Sequence, residues 1–297
     1  MEIRRAKRAD GCGADRRIKD CEGSVLLGRL VLDFAELLMD SMRIAFLHLA
    51  PLAAKVEHNQ RLIEAGIALA AEAGAQLILT PELATTGYTF TDLIGTDWIT
   101  AQPDRWLRSI CEVARQYKTV VLLAHVERDE VRSTLHNSLF AISAEGELLG
   151  RHRKINALRV GSEAWSVPGT TATVVDLCPN LKAGLLICAD ACTTEIARQM
   201  KAAGAKLLLS AAAWAPGLHG PNGEWEQIAR ETGLPLFVCN RTGSDVTLDF
   251  TNGESVVVYR GSRLLSMKSV QSAGFVLDWN IEEERLETNQ PHSFQIS

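Results

Sequence analysis

A strand-like run from Arg43 to His48, a helical pattern from Asn59 to Ala73 and a second strand-like run from Gln76 to Thr80 read as a β-α-β unit. No other stretch constrains the fold as much. Leu62, Ile63, Ile67 and Ala70 fall on one face of the intervening helix, and Gly74 closes it. A second helix is predicted from Pro103-Asp104, carrying Trp106, Ile110, Val113 and Ala114, with a strand over Thr119 to His125 behind it. Ser138 to Ser143 and Glu147 to Arg153 pair as a hairpin across Ala144-Glu145-Gly146. Thr173 to Leu177 and Lys182 to Cys188 do the same across Pro179-Asn180. A helix from about Thr193 to Ala203 stops at Gly204, and strands follow at Lys206 to Ser210, Leu234 to Cys239, Glu254 to Tyr259, Leu264 to Lys268 and Gly274 to Trp279. β-α units mixed with hairpins predict an α/β domain, and periodicity alone goes no further than that.

Hydrophobic residues make up 46% of the 297 positions and charged ones 23%, enough for one α/β domain of about 250 residues. A net charge of -5, with basic residues scattered beyond the N-terminus, argues against a nucleic-acid partner. No apolar run reaches the roughly 18 to 20 residues that span a bilayer, so no membrane partner is expected. The seven cysteines are odd in number and form no compact framework, which points to a reducing, cytoplasmic setting. Residues 1–41 differ in character. Basic positions such as Arg4, Arg5, Lys7 and Arg8 interleave with Gly and Asp, and Val25 to Met39 is compatible with a short helix. The segment reads as an N-terminal extension, flexible or an over-called start, without assigned function.

Three strand ends carry the chemistry. Leu186-Ile187-Cys188-Ala189-Asp190 is a buried strand ending in cysteine, with a helix directly after it. A cysteine there is most often a small core hydrophobe. Two other strand ends change that reading: Gln76-Leu77-Ile78-Leu79-Thr80-Pro81-Glu82 finishes on a carboxylate, and Gly150-Arg151-His152-Arg153-Lys154 on a cation. Cys188 is then a nucleophile that divides one hard hydrolysis into acylation and deacylation. Glu82 serves as general base and afterwards as general acid. Lys154 is a fixed charge for the thiolate and the oxyanion. In open α/β sheets such groups gather beyond the carboxyl ends of strands.

Other eye-catching residues have plainer readings. Cys188 and Cys192 are four apart but lack a further ligand at metal spacing, so no metal is expected and Cys192 reads as a packed core or pocket-wall residue. His136 and His152 read as structural hydrogen-bonding groups, and Trp165, Trp214 and Trp225 as pocket wall or core. Gly217 to Gly223 lacks the Lys and strand-helix context of a phosphate loop.

Taken in order, the segments resemble the nitrilase superfamily of carbon-nitrogen hydrolases, whose catalytic set is Glu, Lys and Cys. Pro81-Glu82-Leu83-Ala84-Thr85-Thr86-Gly87-Tyr88 is similar to the Glu block, Arg151-His152-Arg153-Lys154-Ile155 to the Lys block, and Gly184-Leu185-Leu186-Ile187-Cys188-Ala189-Asp190 to the Cys block. His136-Asn137-Ser138, Ala213-Trp214, Trp225-Glu226, Cys239-Asn240-Arg241-Thr242-Gly243 and Gly253-Glu254-Ser255 continue the likeness, which spans residues 42 to about 280. The resemblance implies a four-layer α-β-β-α sandwich over a domain of residues 42–285, with 286–297 left as a short C-terminal tail. It also implies a homodimer or larger homo-oligomer, formed through helices on an outer face. No cofactor is implied.

Within Glu163-Ala164-Trp165-Ser166-Val167-Pro168-Gly169, Glu163 fits the second glutamate that often assists in the family by orienting Lys154 or the substrate amide. Tyr88, Ala189 and Trp214 are candidate pocket residues. The chain departs from the family pattern at Ala189, where a larger or acidic residue is usual, and at Thr193-Thr194-Glu195 in place of Phe-Pro-Glu. Substrate identity is therefore less constrained than reaction type. The expected activity is hydrolysis of a small carboxamide with release of ammonia through a Cys188 thioester, the partner being the amide substrate. The alternatives are an N-carbamoyl amine or a nitrile as substrate, and, from another class, a non-catalytic binding module on the same fold. True nitrilases of the family tend to carry a longer tail than the residues after Arg285, which favours the amide. Asp92-Leu93 after the Glu block is similar to the glutaminase portion of glutamine-dependent NAD synthetases, but no synthetase half accompanies it.

Overall fold

The computed structural model describes residues 41–159, 161–217 and 220–297. The extension expected over residues 1–41, with its apolar stretch Val25 to Met39, lies outside them apart from Ser41, which begins the first strand.

In chain order the elements are β1 (Ser41–His48), α1 (Val56–Glu72), β2 (Leu77–Leu79), α2 (Thr91–Ile94), α3 (Arg105–Tyr117), β3 (Val120–Arg128), β4 (Leu135–Ile142) and β5 (Leu148–Arg153). They continue with β6 (Val174–Cys178), β7 (Leu181–Ile187), α4 (Thr194–Ala202), β8 (Leu207–Ala212), α5 (Glu224–Thr232), β9 (Leu236–Asn240), β10 (Ser255–Tyr259), β11 (Ser262–Met267), β12 (Ala273–Asn280), β13 (Arg285–Leu286) and β14 (His292–Gln295). One sheet runs β13-β12-β1-β2-β3-β4-β5 with β14 also on β12, and the other runs β11-β10-β9-β8-β7-β6.

Period-2 alternation assigns each face. Ile44 and Phe46 of β1, Leu77 and Leu79 of β2, and Leu122 and Ala124 of β3 turn inward to the core shared with Leu185, Leu207, Leu209 and Phe237 of the second sheet. The intervening Ala45, Leu47, Ile78, Val121 and Leu123 meet Leu62, Ile63 and Ile67 of α1 and Leu107 and Ile110 of α3. On the far side Ile196, Ala197 and Met200 of α4 and Ile228 and Ala229 of α5 cover the second sheet. The result is the α-β-β-α sandwich, in which each fully buried aliphatic side chain contributes roughly 1.5 to 3 kcal/mol of transfer energy. Helix α3 starts where Asp104 Oδ1 accepts the Leu107 amide at 2.8 Å, and ends at Lys118 in the left-handed region.

Two regions differ from expectation. Residues 286–297, read as a tail, carry part of β13 and all of β14. Strand β14 lies antiparallel on β12 with Gly274 opposite Phe294. There the ring of Phe294 fills the space a Cβ at residue 274 would occupy, so one missing side chain admits the strand. Helix α5 was not legible because it is short, highly charged and preceded by a Gly- and Pro-bearing loop. Its buried stripe, Trp225, Ile228, Ala229 and Thr232, is too brief to stand out.

Candidate active site

The β2, β3, β7, β8 and β9 strands run in parallel sets, and β5 follows β3 and β4 through two antiparallel pairings. The ends of β2 and β5 therefore open at one edge of the first sheet and those of β7 and β8 at one edge of the second, and the Glu82 amide donating to the Ala212 carbonyl at 3.3 Å brings the two together. From those ends come Glu82, Lys154, Cys188 and Ala213, and the short 3-10 turn Gly161–Glu163 adds Glu163.

All four predicted side chains are buried: Glu82 is 0% exposed, Lys154 1%, Glu163 1% and Cys188 7%. Lys154 Nζ donates to Glu82 Oε1 at 2.8 Å and to Glu163 Oε1 at 2.5 Å. Asn137 Nδ2 bridges the same two oxygens at 2.8 and 3.2 Å, and the Ala213 amide donates to Glu82 Oε2 at 3.0 Å. Asn137 and Ala213 were part of sequence matches but were not singled out. A polar residue between the apolar positions of β4 was the available signal for Asn137. Nothing short of the fold identifies a backbone amide as part of a site.

The electrostatics follow from burial around one cation and two carboxylates. Burial opposes the charge on Lys154, but the neighbouring acidic groups, Glu82 foremost, outweigh it and raise the ammonium well above its ordinary value. Burial first, and Glu82 next, raise the Cys188 thiol well above its ordinary value, while Lys154 and the Ala213 amide pull it down. Burial thus favours the thiol form of Cys188 over the thiolate. Cys188 also holds a left-handed backbone at φ 44°, a strained conformation costing about 1 to 3 kcal/mol for a residue with a Cβ.

Burial, followed by the Glu82 charge, raises the Glu163 carboxyl above its ordinary 4.5 against the opposing pull of Lys154. Between 4.5 and that raised value the folded protein binds a proton that the unfolded chain has lost, so this group's contribution to stability falls as pH rises through the window. A Glu163→Gln protein lacks that titration. Its stability relative to wild type should improve from pH 4 to pH 7 in urea unfolding, and a difference independent of pH would show that Glu163 ionises as freely as in water.

The pocket candidates are placed as follows. Tyr88 is half-buried within reach of the charges of Glu82, Glu163, Lys154 and Cys188, and burial first, then Glu82, push its phenol up. Ala189 is half-buried, with its carbonyl accepting from Asn156 Nδ2 at 2.9 Å. Trp214 is gripped at its backbone by Asn240, which accepts from its amide at 2.9 Å and donates to its carbonyl at 3.0 Å. Its ring stands edge-on to the buried Trp225 at 5.5 Å and walls a depression of about 310 Å³ with Pro216, Glu254 and Arg263.

The plainer readings are also placed. His136 bonds Thr134 Oγ1 and the Val167 carbonyl, and His152 bonds Thr173 Oγ1 and Asp190 Oδ2. Trp165 packs on Phe90 at 5.3 Å. Cys192 corrects its reading as a packed residue. It closes the 3-10 turn Cys188–Cys192 facing outward and is exposed. Among the described residues no helix is long and apolar enough to cross a membrane.

Comparison with known proteins places the fold and family. The amidase of Nesterenkonia sp. AN1 is 27% identical, with a TM-score of 0.70 over 82% of this chain and 92% of its own. It was solved as a variant with the acetamide moiety of fluoroacetamide added covalently at the active-site cysteine. A probable nitrilase of Schizosaccharomyces pombe is 26% identical over 72% of this chain and 79% of its own length. A citrullinase of Francisella tularensis is 28% identical over 70% and 75%. Residues 43–271 match the carbon-nitrogen hydrolase family over most of the described chain. With that match laid over the two-sheet sandwich and its strand-end cluster, the chain belongs to the carbon-nitrogen hydrolases of the nitrilase superfamily.

Proposed function

We propose that the protein hydrolyses a small carboxamide to a carboxylate and ammonia through a thioester on Cys188. The observation that carries this reading is the buried Glu82–Lys154–Glu163 ion cluster against the Cys188 thiol. Glu82 takes the thiol proton as the sulfur attacks the amide carbon, and Lys154 meets the negative charge that develops on the carbonyl oxygen. The tetrahedral adduct collapses when protonated Glu82 passes its proton to the amide nitrogen. The carbon-nitrogen bond breaks, ammonia leaves and the acyl group stays on sulfur. Glu82, again a carboxylate, then deprotonates a water molecule that attacks the thioester. The second adduct expels sulfur, which recovers its proton from Glu82 as the acid departs. Glu163 holds the Lys154 ammonium beside Glu82, and its unpartnered Oε2 is free to accept from the substrate amide.

The likeness to a citrullinase supports a second reading of the same chemistry, with a ureido carbon in place of the amide carbon. One experiment covers both. Ammonia release is measured from small amides, ω-amides of dicarboxylic acids, citrulline and other N-carbamoyl compounds, and nitriles, with Cys188→Ala beside wild type. Release from an amide that disappears in the variant supports the proposal. Release from citrulline alone favours the second reading, and equal release by both proteins sinks the thioester.

A further inference from the structure

Lys154 follows β5 of one sheet and Cys188 follows β7 of the other, and among the described residues no backbone ladder joins those sheets. The two meet largely through apolar packing, which is non-directional; the polar bonds between them at these strand ends, the Glu82 amide to the Ala212 carbonyl at 3.3 Å and the Ala213 amide to Glu82 Oε2 at 3.0 Å, place Glu82 but do not hold Lys154 against Cys188. A fully buried carboxylate does so here. Asp190 lies two residues after Cys188 in the same 3-10 turn. Its Oδ2 accepts from the Ile187 amide at 2.9 Å and pairs with His152 Nε2 at 2.9 Å. Its Oδ1 accepts from the Ile155 amide at 3.0 Å and the Asn156 amide at 2.8 Å. His152 precedes Lys154 by two residues, and Ile155 and Asn156 follow it directly. One carboxylate on the cysteine turn therefore grips the lysine segment on both sides. Asn156 returns the grip: its Nδ2 donates to the Ala189 carbonyl at 2.9 Å and to Thr193 Oγ1 at 2.8 Å. The same bonds over-determine the strained backbone of Cys188.

We propose that Asp190, with Asn156 as its counterpart, is the positioning residue that sets Cys188 against Lys154 across the two sheets. The proposal rests on the reading that those two side chains act together, and its test is independent of turnover. The charged groups that bear on the Cys188 sulfur are Glu82, Lys154 and Glu163, so displacement of the lysine registers in how readily the thiol ionises.

The rate of Cys188 alkylation by iodoacetamide is followed against pH by peptide mass spectrometry in the full chain. The proteins compared are wild type, Asp190→Asn, Asn156→Ala, Lys154→Met and Asn156→Ala with Lys154→Met. The amide of Asp190→Asn cannot accept all four bonds, and Asn156→Ala provides a milder break should Asp190→Asn fail to fold. Each single variant should move the pH profile upward and slow alkylation at neutral pH, about tenfold for Asp190→Asn and severalfold for Asn156→Ala. Asn156→Ala should add less than twofold once Lys154 is gone. Profiles within twofold of wild type, with only the melting temperature lowered, would overturn the proposal, as would effects of Asn156→Ala and Lys154→Met that multiply in full. Ammonia release is read separately. Shifted profiles in a protein that releases none sink the amidase reading and leave the positioning role standing. Normal release with unshifted profiles does the reverse.

Discussion

Replacing Glu82 with glutamine is expected to lower kcat on the best amide by about 10³-fold, with KM changed less than threefold. In the proposed cycle both halves pass a proton through this carboxylate, and a positioned general acid-base group contributes roughly 10² to 10⁴-fold. Glutamine fills the same volume, but its amide cannot take the thiol proton. One end of it must also present N–H to a donor, since Oε1 faces Lys154 and Asn137 and Oε2 faces the Ala213 amide. The check is single-turnover kinetics with separate detection of ammonia and acid: both steps should slow. A variant that retains a tenth of wild-type kcat would remove Glu82 from the proton path.

The second large effect is on stability as well as rate. Lys154→Met leaves two buried carboxylates facing each other without their cation. Breaking a buried ion pair from one side costs about 3 to 5 kcal/mol. The loss depends on pH in a definite direction. Without the ammonium, the fold relieves the repulsion by keeping protons that the unfolded chain releases, so the variant loses stability as pH rises and recovers part of it in acid. Urea unfolding at pH 5 and pH 8 should show the larger deficit at pH 8. An equal deficit at both would mean that the cost is one of packing. Activity should fall about 10²-fold or more because the oxyanion loses its fixed positive charge.

Glycine at position 169 shows how far the sequence reaches into this site. Gly169 lay within the stretch that singled out Glu163, yet its role appears only in three dimensions. Its amide donates to the Lys154 carbonyl at 2.8 Å, and a Cβ there would stand 2.2 Å from the Arg153 carbonyl oxygen. The β-α-β unit, both hairpins and the strand ends bearing Glu82, Lys154 and Cys188 were legible because apolar alternation and turn residues report local structure. Hydrogen bonds between segments far apart in sequence were not. Asn137 joins Glu82 to Glu163, a fact about strand order within one sheet, and Asp190 reaches Ile155 and Asn156, a fact about the stacking of two; no window of residues contains either. Strand β14 was missed for a related reason: it is brief and largely exposed, so its pattern depends on β12, with which it pairs.

Strand β1 lies between β2 and β12, and Arg43 at its start pairs with Asp278 across 235 residues of chain. On a ribosome, β1, α1 and β2 emerge before β12 and can form their local unit, but the other edge of β1 stays open until β12 has been made. Until then the growing chain exposes an apolar strand edge beside the future core, the kind of surface that invites pairing with a neighbouring chain.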